Sequence, residues 1–243
     1  MTALARQTTV LPPLAAPSAT TAEITLGGVA CALDLSGALY MPREDTLVVA
    51  DLHLEKGSSL ARRGSLLPPY DTRTTLLALG GVIGRYNPRR VVALGDSFHD
   101  VGGPERLGDG EAETLASLQA GRKWVWIVGN HDPSLPEALP GDVAAELAMG
   151  DLVLRHAPEV GAACELAGHL HPVGKVVRRG GGVRRRCFVT DGRRCVMPAF
   201  GAYAGGLNVC DPAFQPLFPN GFSAHVIGGE RLFAIARSLL CAD

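Results

Sequence analysis

Six of the seven histidines in this 243-residue chain follow short apolar runs, most of them beside an Asp or Asn. The segments LVVADLH, VVALGDSFH, WVWIVGNHD, LVLRH and LAGHLH place these polar residues at Asp51, His53, Asp96, His99, Asn130, His131, His156, His169 and His171. A single histidine in such a position is usually structural, and Asn and Asp after Gly129 are also typical of a turn. Six histidines placed alike favour one shared site, from which only His225 is left out.

Metal binding is the chemistry that needs this mixture of side chains. Neutral imidazoles with carboxylate and amide oxygens suit Mn, Fe, Zn or Ni, whereas the chain has no C-x-x-C pair for a structural zinc site. Asp51 and His53 stand at i and i+2, which on extended chain places both on one face, and His169 and His171 share that spacing. These ligands are too many for one ion. The sequence therefore predicts two ions, roughly 3.5 to 4 Å apart, a spacing that clamps both reacting oxygens of a phosphoryl group.

The apolar runs themselves predict the elements that position the ligands. They are short and rich in β-branched residues, as in buried strands, and the loops beyond the carboxyl ends of such strands are where open α/β sheets bind ligands. Thr72 to Tyr86 and EAETLASLQAG are predicted to be helices, and VAAELAMG a helical segment. From about Gly168, short strands among glycine-rich turns predict a second sheet. The expected class is α/β.

Composition limits the remaining choices. Residues 1–21 are rich in Ala, Thr and Pro and predict an extended arm, whereas residues 22–243 show no domain boundary and are expected to form one domain. A hydrophobic content of 47% is enough for a sizeable core. The N-terminus lacks the pattern of a signal peptide, and no apolar run is long enough for a membrane span, so a cytoplasmic location is expected. The six cysteines, without a dense framework, are expected to be mostly buried thiols.

The ordered motifs D-x-H, G-D-x-x-H, G-N-H-D, a lone His and G-H-x-H resemble those of the calcineurin-like metallophosphoesterase superfamily. The resemblance covers Val48 to His171 and implies an α/β fold of the αββα sandwich type, with two mixed β-sheets flanked by helices. It also implies a phosphoesterase with two divalent metal ions, in which a metal-bridging hydroxide attacks phosphorus in line.

The same resemblance implies a role for each matching residue. It implies that the first ion is held by Asp51, His53 and His171. It implies that the second is held by Asn130, His156 and His169. Asp96 would bridge the two ions, and His131 would be the acid on the substrate side.

Two motifs depart from the pattern of the superfamily. His156 lies in RHAP where Gly-His is frequent, and the second motif ends in His99 where many members have Asp. The second departure leaves two roles open for His99, a contact to substrate or a group that supports the ligands.

A narrower resemblance spans most of residues 45–210. The stretches ADLHLEKGSSLARRGSLLPPYD, GNHDP and GHLHPVGKV are similar to the bacterial ligase-associated DNA-damage-response endonucleases, the PdeM branch. Mn²⁺ is the expected metal, with Fe, Zn or Ni as alternatives, and this resemblance implies a DNA endonuclease in bacterial DNA repair. It further implies a repair ligase, a helicase and an exonuclease as partners.

Seven arginines crowd the stretch after the last motif, at positions 178, 179, 184, 185, 186, 193 and 194. Arginine contacts phosphates with bidentate geometry, so Arg184, Arg185 and Arg186 are candidate contacts to the DNA backbone. A solvated hairpin explains the same pattern equally well. A phosphomonoesterase or small-nucleotide phosphatase with the same metal core is the alternative function, and a non-catalytic scaffold is a third class.

Overall fold

The structure, a computed structural model, describes residues 20–178 and 181–243. The extended arm predicted for residues 1–21 therefore lies outside the described residues, except at its last two positions, where the first strand begins with Thr21.

The first sheet is mixed and runs β1-β2-β3-β4-β5-β6-β7 in sequence order. Its strands are β1 (Thr21–Leu26), β2 (Val29–Asp34), β3 (Leu39–Met41), β4 (Thr46–Val49), β5 (Arg90–Leu94), β6 (Lys123–Ile127) and β7 (Asp142–Ala144). Strands β1 to β4 pair antiparallel, and β4 to β7 pair parallel. The parallel half is almost wholly buried in β4, β5 and β6, which explains why their sequences are continuous apolar runs.

Helices cover the outer face of this sheet. They are α1 (Lys56–Arg62), α2 (Asp71–Tyr86), α3 (Gly103–Arg106) and α4 (Asp109–Gln119). The helix predicted from Thr72 to Tyr86 is confirmed: Leu76, Leu79 and Ile83 repeat at helical spacing and pack into one core cluster with the sheet. Asn87 ends the helix in the left-handed conformation, with φ 42°. The predicted helix EAETLASLQAG corresponds to α4.

The second sheet is also mixed and is larger than the sequence predicts. Its strands are β8 (Glu146–Met149), β9 (Leu152–Arg155), β10 (Glu165–Ala167), β11 (Pro172–Arg178), β12 (Gly181–Thr190), β13 (Arg194–Val196), β14 (Leu207–Asn208), β15 (Ser223–Ile227) and β16 (Leu232–Ala236). The main order is β14-β11-β12-β13-β10-β9-β8, with β15 beside β12 and β16 beside β15. The sheet therefore begins near residue 146, and the expected start near Gly168 was too late.

The helical segment predicted at VAAELAMG was wrong. Asp142–Ala144 extends the first sheet as β7, and Glu146–Met149 pairs antiparallel with β9 as the edge of the second. Along β8 the burial alternates, with Leu147 and Met149 packed on the core between the sheets. Ala, Glu, Leu and Met are good helix formers, but pairing at two sheet edges overrides that preference.

The two sheets face each other across one apolar core, to which both contribute buried side chains such as Leu94, Ile127, Leu154 and Phe188. A separate cluster on the far side of the second sheet is covered by the segment around the 3₁₀ helix Pro212–Phe214. A second 3₁₀ helix is Arg237–Leu239. The predicted class, two mixed sheets in a metallophosphoesterase-type sandwich, is confirmed.

All six cysteines are free thiols, and four of them are buried, as the sequence predicts. No helix in the described part of the chain combines the length and the apolar character needed to cross a membrane.

Candidate metal centre

The predicted ligands converge at one end of the sandwich. Strands β4, β5 and β6 are parallel neighbours, so the residues that follow them, Asp51, Asp96 and Asn130, emerge at the same edge. Strands β9 and β10 are parallel as well and deliver His156 and His169 from the second sheet. The sheet topology therefore brings residues that are far apart in sequence into one cluster.

Asp51 joins the two sheets at this edge. Its carboxylate accepts hydrogen bonds from the backbone N–H of His169 at 2.9 and 3.2 Å. The approach is close enough to require glycine at the neighbouring position, because a Cβ on Gly168 would lie 2.5 Å from an Asp51 oxygen. The link fixes the first sheet's carboxylate against the second sheet's histidine loop.

Left-handed backbone is concentrated at these loops. Eight non-glycine residues among those described have positive φ, and five of them are predicted ligands: Asp51, His53, Asp96, His169 and His171. Non-glycine residues adopt this conformation at an energetic cost, and such residues cluster at functional sites. The turn at each position lets the chain leave its strand and aim a side chain across the edge.

The first group of possible metal-binding side chains is Asp51, His53 and His171, whose ligand atoms all lie within 4.8 Å of one another. His171 Nε2 lies 3.4 Å from Asp51 Oδ1 and 3.3 Å from His53 Nε2. The structure thus brings together the three residues predicted for the first ion.

The second group is Asp96, His156 and His169, within the same 4.8 Å limit. His156 Nε2 is the centre of it, at 3.4 Å from Asp96 Oδ1 and 3.1 Å from His169 Nδ1. Asn130 Oδ1 also lies 2.9 Å from His156 Nε2, which adds the amide oxygen predicted for this site. Asp96 Oδ2 is 3.9 Å from His53 Nε2, so the two carboxylate oxygens of Asp96 face different groups.

The donor set fits divalent ions. Ring nitrogens of His53 and His171, and of His156 and His169, face each other at 3.1 to 3.3 Å with carboxylates beside them. Burial lowers the pKa of His53 to about 2, with the neighbouring histidines adding to the effect, and it lowers the pKa of His169 as well. Both imidazoles are therefore neutral near pH 7, the form that binds metal.

A third group of possible ligands, His53, His99 and His131, was not predicted from the sequence. It shares His53 with the first group, and His53 Nδ1 lies 3.3 Å from His99 Nδ1. The ring of His99 stacks on that of His131, with centroids 4.9 Å apart. His99 thus contacts both a predicted ligand and the predicted acid, an arrangement that its motif position alone did not reveal.

His131 projects from the same loop as Asn130 toward the open side of the cluster, with 38% of its side chain exposed. Its Nδ1 lies 2.8 Å from the carbonyl oxygen of His99, and its Nε2 lies 3.9 Å from Asp96 Oδ2. A proton on Nδ1 donated to that carbonyl fixes the ring plane and leaves Nε2 facing the site.

Asp132, which follows Gly129 and is of a type typical of turns, has a larger structural role than a turn residue. Its fully buried carboxylate accepts hydrogen bonds from the backbone N–H groups of Asp96, Ser97, Phe98 and Gly129 at 2.7 to 3.1 Å. Burial raises its pKa to about 6, while these backbone donors act in the opposite direction. Asp132 therefore holds the loop of Asp96 against the loop of Asn130.

Lys56 was not singled out from the sequence. It begins α1, and its charge adds to the effect of burial, which lowers the pKa of His99 to about 4. Burial also lowers the pKa of Lys56 itself. A half-buried cation therefore acts on both His53 and His99.

The arginines of the crowded stretch have different surroundings. Arg184 and Arg185 are exposed on β12, whereas Arg186 is largely buried and donates to the carbonyl oxygens of Ala199 and Ser36 at 2.7 and 3.5 Å. Arg194 is buried and pairs with Glu165 at 2.7 Å. Arg179 and the side chain of Arg178 lie outside the described residues. The predicted stretch is thus partly structural.

No protein-family model matches the chain, and no curated protein matches it. Among solved structures, the chain is similar to the crystal structure of Pseudomonas putida nuclease MPE, at 29% sequence identity and a TM-score of 0.70. The match covers 88% of this chain and 100% of that chain. The chain therefore has a close structural relationship to a nuclease, which supports hydrolytic activity, and it carries His/Asp groups able to bind metal ions.

Proposed function

We propose that this chain is a dinuclear-metal-dependent phosphodiesterase that cuts DNA, an endonuclease of bacterial DNA repair. One observation carries the proposal: two adjacent His/Asp groups, each drawing on both sheets, occupy one edge of a chain that is similar over its length to a nuclease. A phosphomonoesterase or a non-catalytic scaffold would have the same fold, but the similarity to a nuclease favours cleavage of a phosphodiester.

The ligand assignment follows the two groups. The first ion would be held by Asp51, His53 and His171, and the second by Asn130, His156 and His169. Asp96, with one carboxylate oxygen toward each group, would bridge them. When bound, two divalent ions supply an activated water and neutralise negative charge at phosphorus. Mn²⁺ is the proposed metal, since the nitrogen and oxygen donor set accepts it, as it does Fe, Zn or Ni.

His131 is the proposed acid. In its protonated form, Nδ1 donates to the His99 carbonyl oxygen and Nε2 presents a proton to the open side of the cluster. Departure of a sugar oxygen leaves an alkoxide, which this proton neutralises. His99, stacked on His131 and next to His53, would keep both rings in place and border the bound substrate.

The substrate-facing surface would include the hairpin that begins directly after His171. Arg184 and Arg185 are exposed there, and Arg186 lies beside them at the rim of a groove with Gly205 and Gly206. We include all three as contacts to the DNA backbone. A repair ligase, a helicase and an exonuclease are the proposed protein partners, and the cytoplasm is the proposed location.

The test is a comparison of substrates with metal content measured alongside. Purified protein loaded with Mn²⁺ should hydrolyse bis-p-nitrophenyl phosphate, a diester, faster than p-nitrophenyl phosphate, a monoester, and should nick DNA of defined structure. Faster hydrolysis of the monoester with no cleavage of DNA would support the phosphatase instead. Absence of turnover on all three substrates at full metal content would support the scaffold.

A further inference from the structure

One face of the β11–β12 hairpin collects positive charge. In the register of this antiparallel pair, Lys175 lies directly opposite Arg184, and Val173 lies opposite Arg186. Side chains two residues apart on a strand share a face, so Lys175, Arg184 and Arg186 project to the same side. Like charges directly opposite each other destabilise a sheet. The pair of Lys175 and Arg184 is therefore a position where an anion is favoured.

Arg186 is already engaged in the fold. It donates to the carbonyl oxygens of Ala199 and of Ser36, which lies between β2 and β3, and so it ties the two sheets together. Arg184 is different, because 44% of its side chain is exposed. Lys175 is partly exposed and forms no ion pair within 4 Å among the residues described. Of the cations on this face, Lys175 and Arg184 are those whose side chains do not tie the two sheets together.

A carboxylate of the chain occupies this position. Arg184 Nε lies 3.2 Å from Asp243 Oδ1. The pKa of Asp243 is held below its usual range, first by a hydrogen bond from Asn208 and then by Arg184, with Lys175 adding to the effect. The segment is placed by backbone contacts, since Cys241 N donates to the carbonyl oxygen of Lys175 at 2.9 Å. With 55% of the Asp243 side chain exposed, the ion pair is solvent-screened and exchangeable.

The same arginine is connected to the metal centre. Its Nη2 donates to the carbonyl oxygen of Gly206 at 2.7 Å, and the next residue, Leu207, donates its backbone N–H to the carbonyl oxygen of His171 at 3.1 Å. Arg184, Gly205 and Gly206 line one groove. Only the segment of Gly206 and Leu207 therefore lies between this pair of cations and His171, a proposed metal ligand. A DNA strand bound at the metal centre can then also reach the pair.

We propose that Lys175 and Arg184 form a binding site for a DNA backbone phosphate outside the scissile one, and that the Asp243 carboxylate occupies this site when DNA is absent. The assignment rests on the proposed function, because it takes DNA as the ligand. Arginine offers a planar fork and lysine a compact charge, and both suit a phosphate oxygen. Asp243 then competes with each incoming phosphate.

Binding measured without cleavage tests the site. Fluorescence anisotropy of a short fluorescein-labelled DNA strand with phosphorothioate linkages, which resist cleavage by the metal-loaded protein, gives the Kd over a series of salt concentrations. Arg184→Ala and Lys175→Ala should each weaken binding and lower the slope of log K against log salt by about 0.7 to 0.9, the value for one lost phosphate contact. Arg89→Ala is the matched control, because Arg89 is 87% exposed and lies before β5, at the end of the strand opposite to Asp96.

Competition between Asp243 and DNA can be tested by a separate measurement. Asp243→Asn should tighten DNA binding in the parent background and should have a smaller effect in the Arg184→Ala background, since the carboxylate has then lost its ion-pair partner. Asp45→Asn, at the partner of Arg89, is the control for loss of one negative charge. Equal slopes for Arg184→Ala and Arg89→Ala, or equal tightening by Asp243→Asn in both backgrounds, would overturn the assignment. Loss of the proposed function would show separately, as a parent protein that binds DNA but hydrolyses no diester.

Discussion

The carboxylate of Asp132 accepts a hydrogen bond from the backbone N–H of Asp96 at 3.0 Å, and it does so from a fully buried position. Two neighbouring N–H groups, those of Ser97 and Phe98, point at the other oxygen of the same carboxylate. The residue proposed to bridge two ions is thus fixed by a residue that belongs to neither proposed ligand set. The position of the bridge depends on this contact.

Asp132→Asn should therefore reduce metal binding. An amide has one acceptor oxygen, so two of the four backbone donors lose their partner, at about 1–3 kcal/mol each. We expect a lower free energy of unfolding in urea and a lower metal content by mass spectrometry. Asp142→Asn, at an exposed position on β7, is the control. Full metal content and unchanged stability in Asp132→Asn would contradict this role.

Gly129→Ala should displace the same carboxylate by contact. A Cβ at Gly129 would lie 2.2 Å from Asp96 Oδ1 and 2.3 Å from the Asp96 backbone nitrogen, and the backbone nitrogen cannot give way unless the loop shifts. We expect loss of metal and of diester hydrolysis. Gly110→Ala in α4 is the control, because its added Cβ meets nothing within 4 Å, and it should raise stability by up to about 1 kcal/mol. Normal metal content in Gly129→Ala would show that the loops adapt.

Asp96→Asn tests the bridge itself. The substitution keeps the shape and removes the charge shared by the two proposed ions, so turnover should be abolished and metal content should fall while the fold persists. Steady-state kinetics, metal analysis and circular dichroism of the same sample measure these three quantities. A fully active Asp96→Asn protein is incompatible with a dinuclear centre.

His131→Ala tests the acid. Both ions should remain, because His131 belongs to neither proposed ligand set, and the rate on diesters with poor leaving groups should fall about 10²- to 10⁴-fold. A good leaving group such as p-nitrophenolate needs less protonation and should recover part of the rate. The measurement is a leaving-group series with the variant and the parent, with metal content determined for each. Equal losses across the series, or a missing metal, would assign His131 to positioning or ligation.

Arg194→Ala should destabilise the fold by up to about 3–5 kcal/mol, because it leaves the fully buried Glu165 only with Arg155, whose Nη1 lies 3.9 Å away. Urea unfolding measures the loss. Arg193→Ala, one residue away and exposed, should change stability by less than about 0.5 kcal/mol. If the two substitutions lowered the free energy of unfolding equally, the ion pair of Arg194 would contribute no more to stability than an exposed arginine does.

The convergence of the candidate ligands could be predicted from the sequence because their positions depend on local pattern. An apolar run ending in Asp-x-His or Gly-Asn-His defines a strand and the loop after it, and parallel pairing brings such loops to one edge, as it does for Asp96 and Asn130. The contacts of His99 with His53 and His131 depend on left-handed turns in two loops and had no such signal.

Strands at the edges of sheets and contacts between residues distant in sequence could not be predicted. Glu146–Met149 is composed of helix formers, and only the neighbouring strand β9 makes it a strand. The charge of Arg194 is indistinguishable in the sequence from that of Arg193, yet it is buried against Glu165 from another strand. The approach of Asp243 to Arg184 spans 59 residues and depends on the hairpin register.

Each of the two proposed ligand groups takes side chains from both sheets: Asp51 and His53 with His171, and Asp96 with His156 and His169. An ion bound by either group is therefore a crosslink between the halves of the sandwich. Ion binding to the folded state stabilises that state in proportion to the logarithm of the free ion concentration. Removal of the ions by a chelator should therefore loosen the contact between the two sheets along its whole depth. Amide hydrogen exchange in β10, far from solvent, should then report the occupancy of the centre as directly as turnover does.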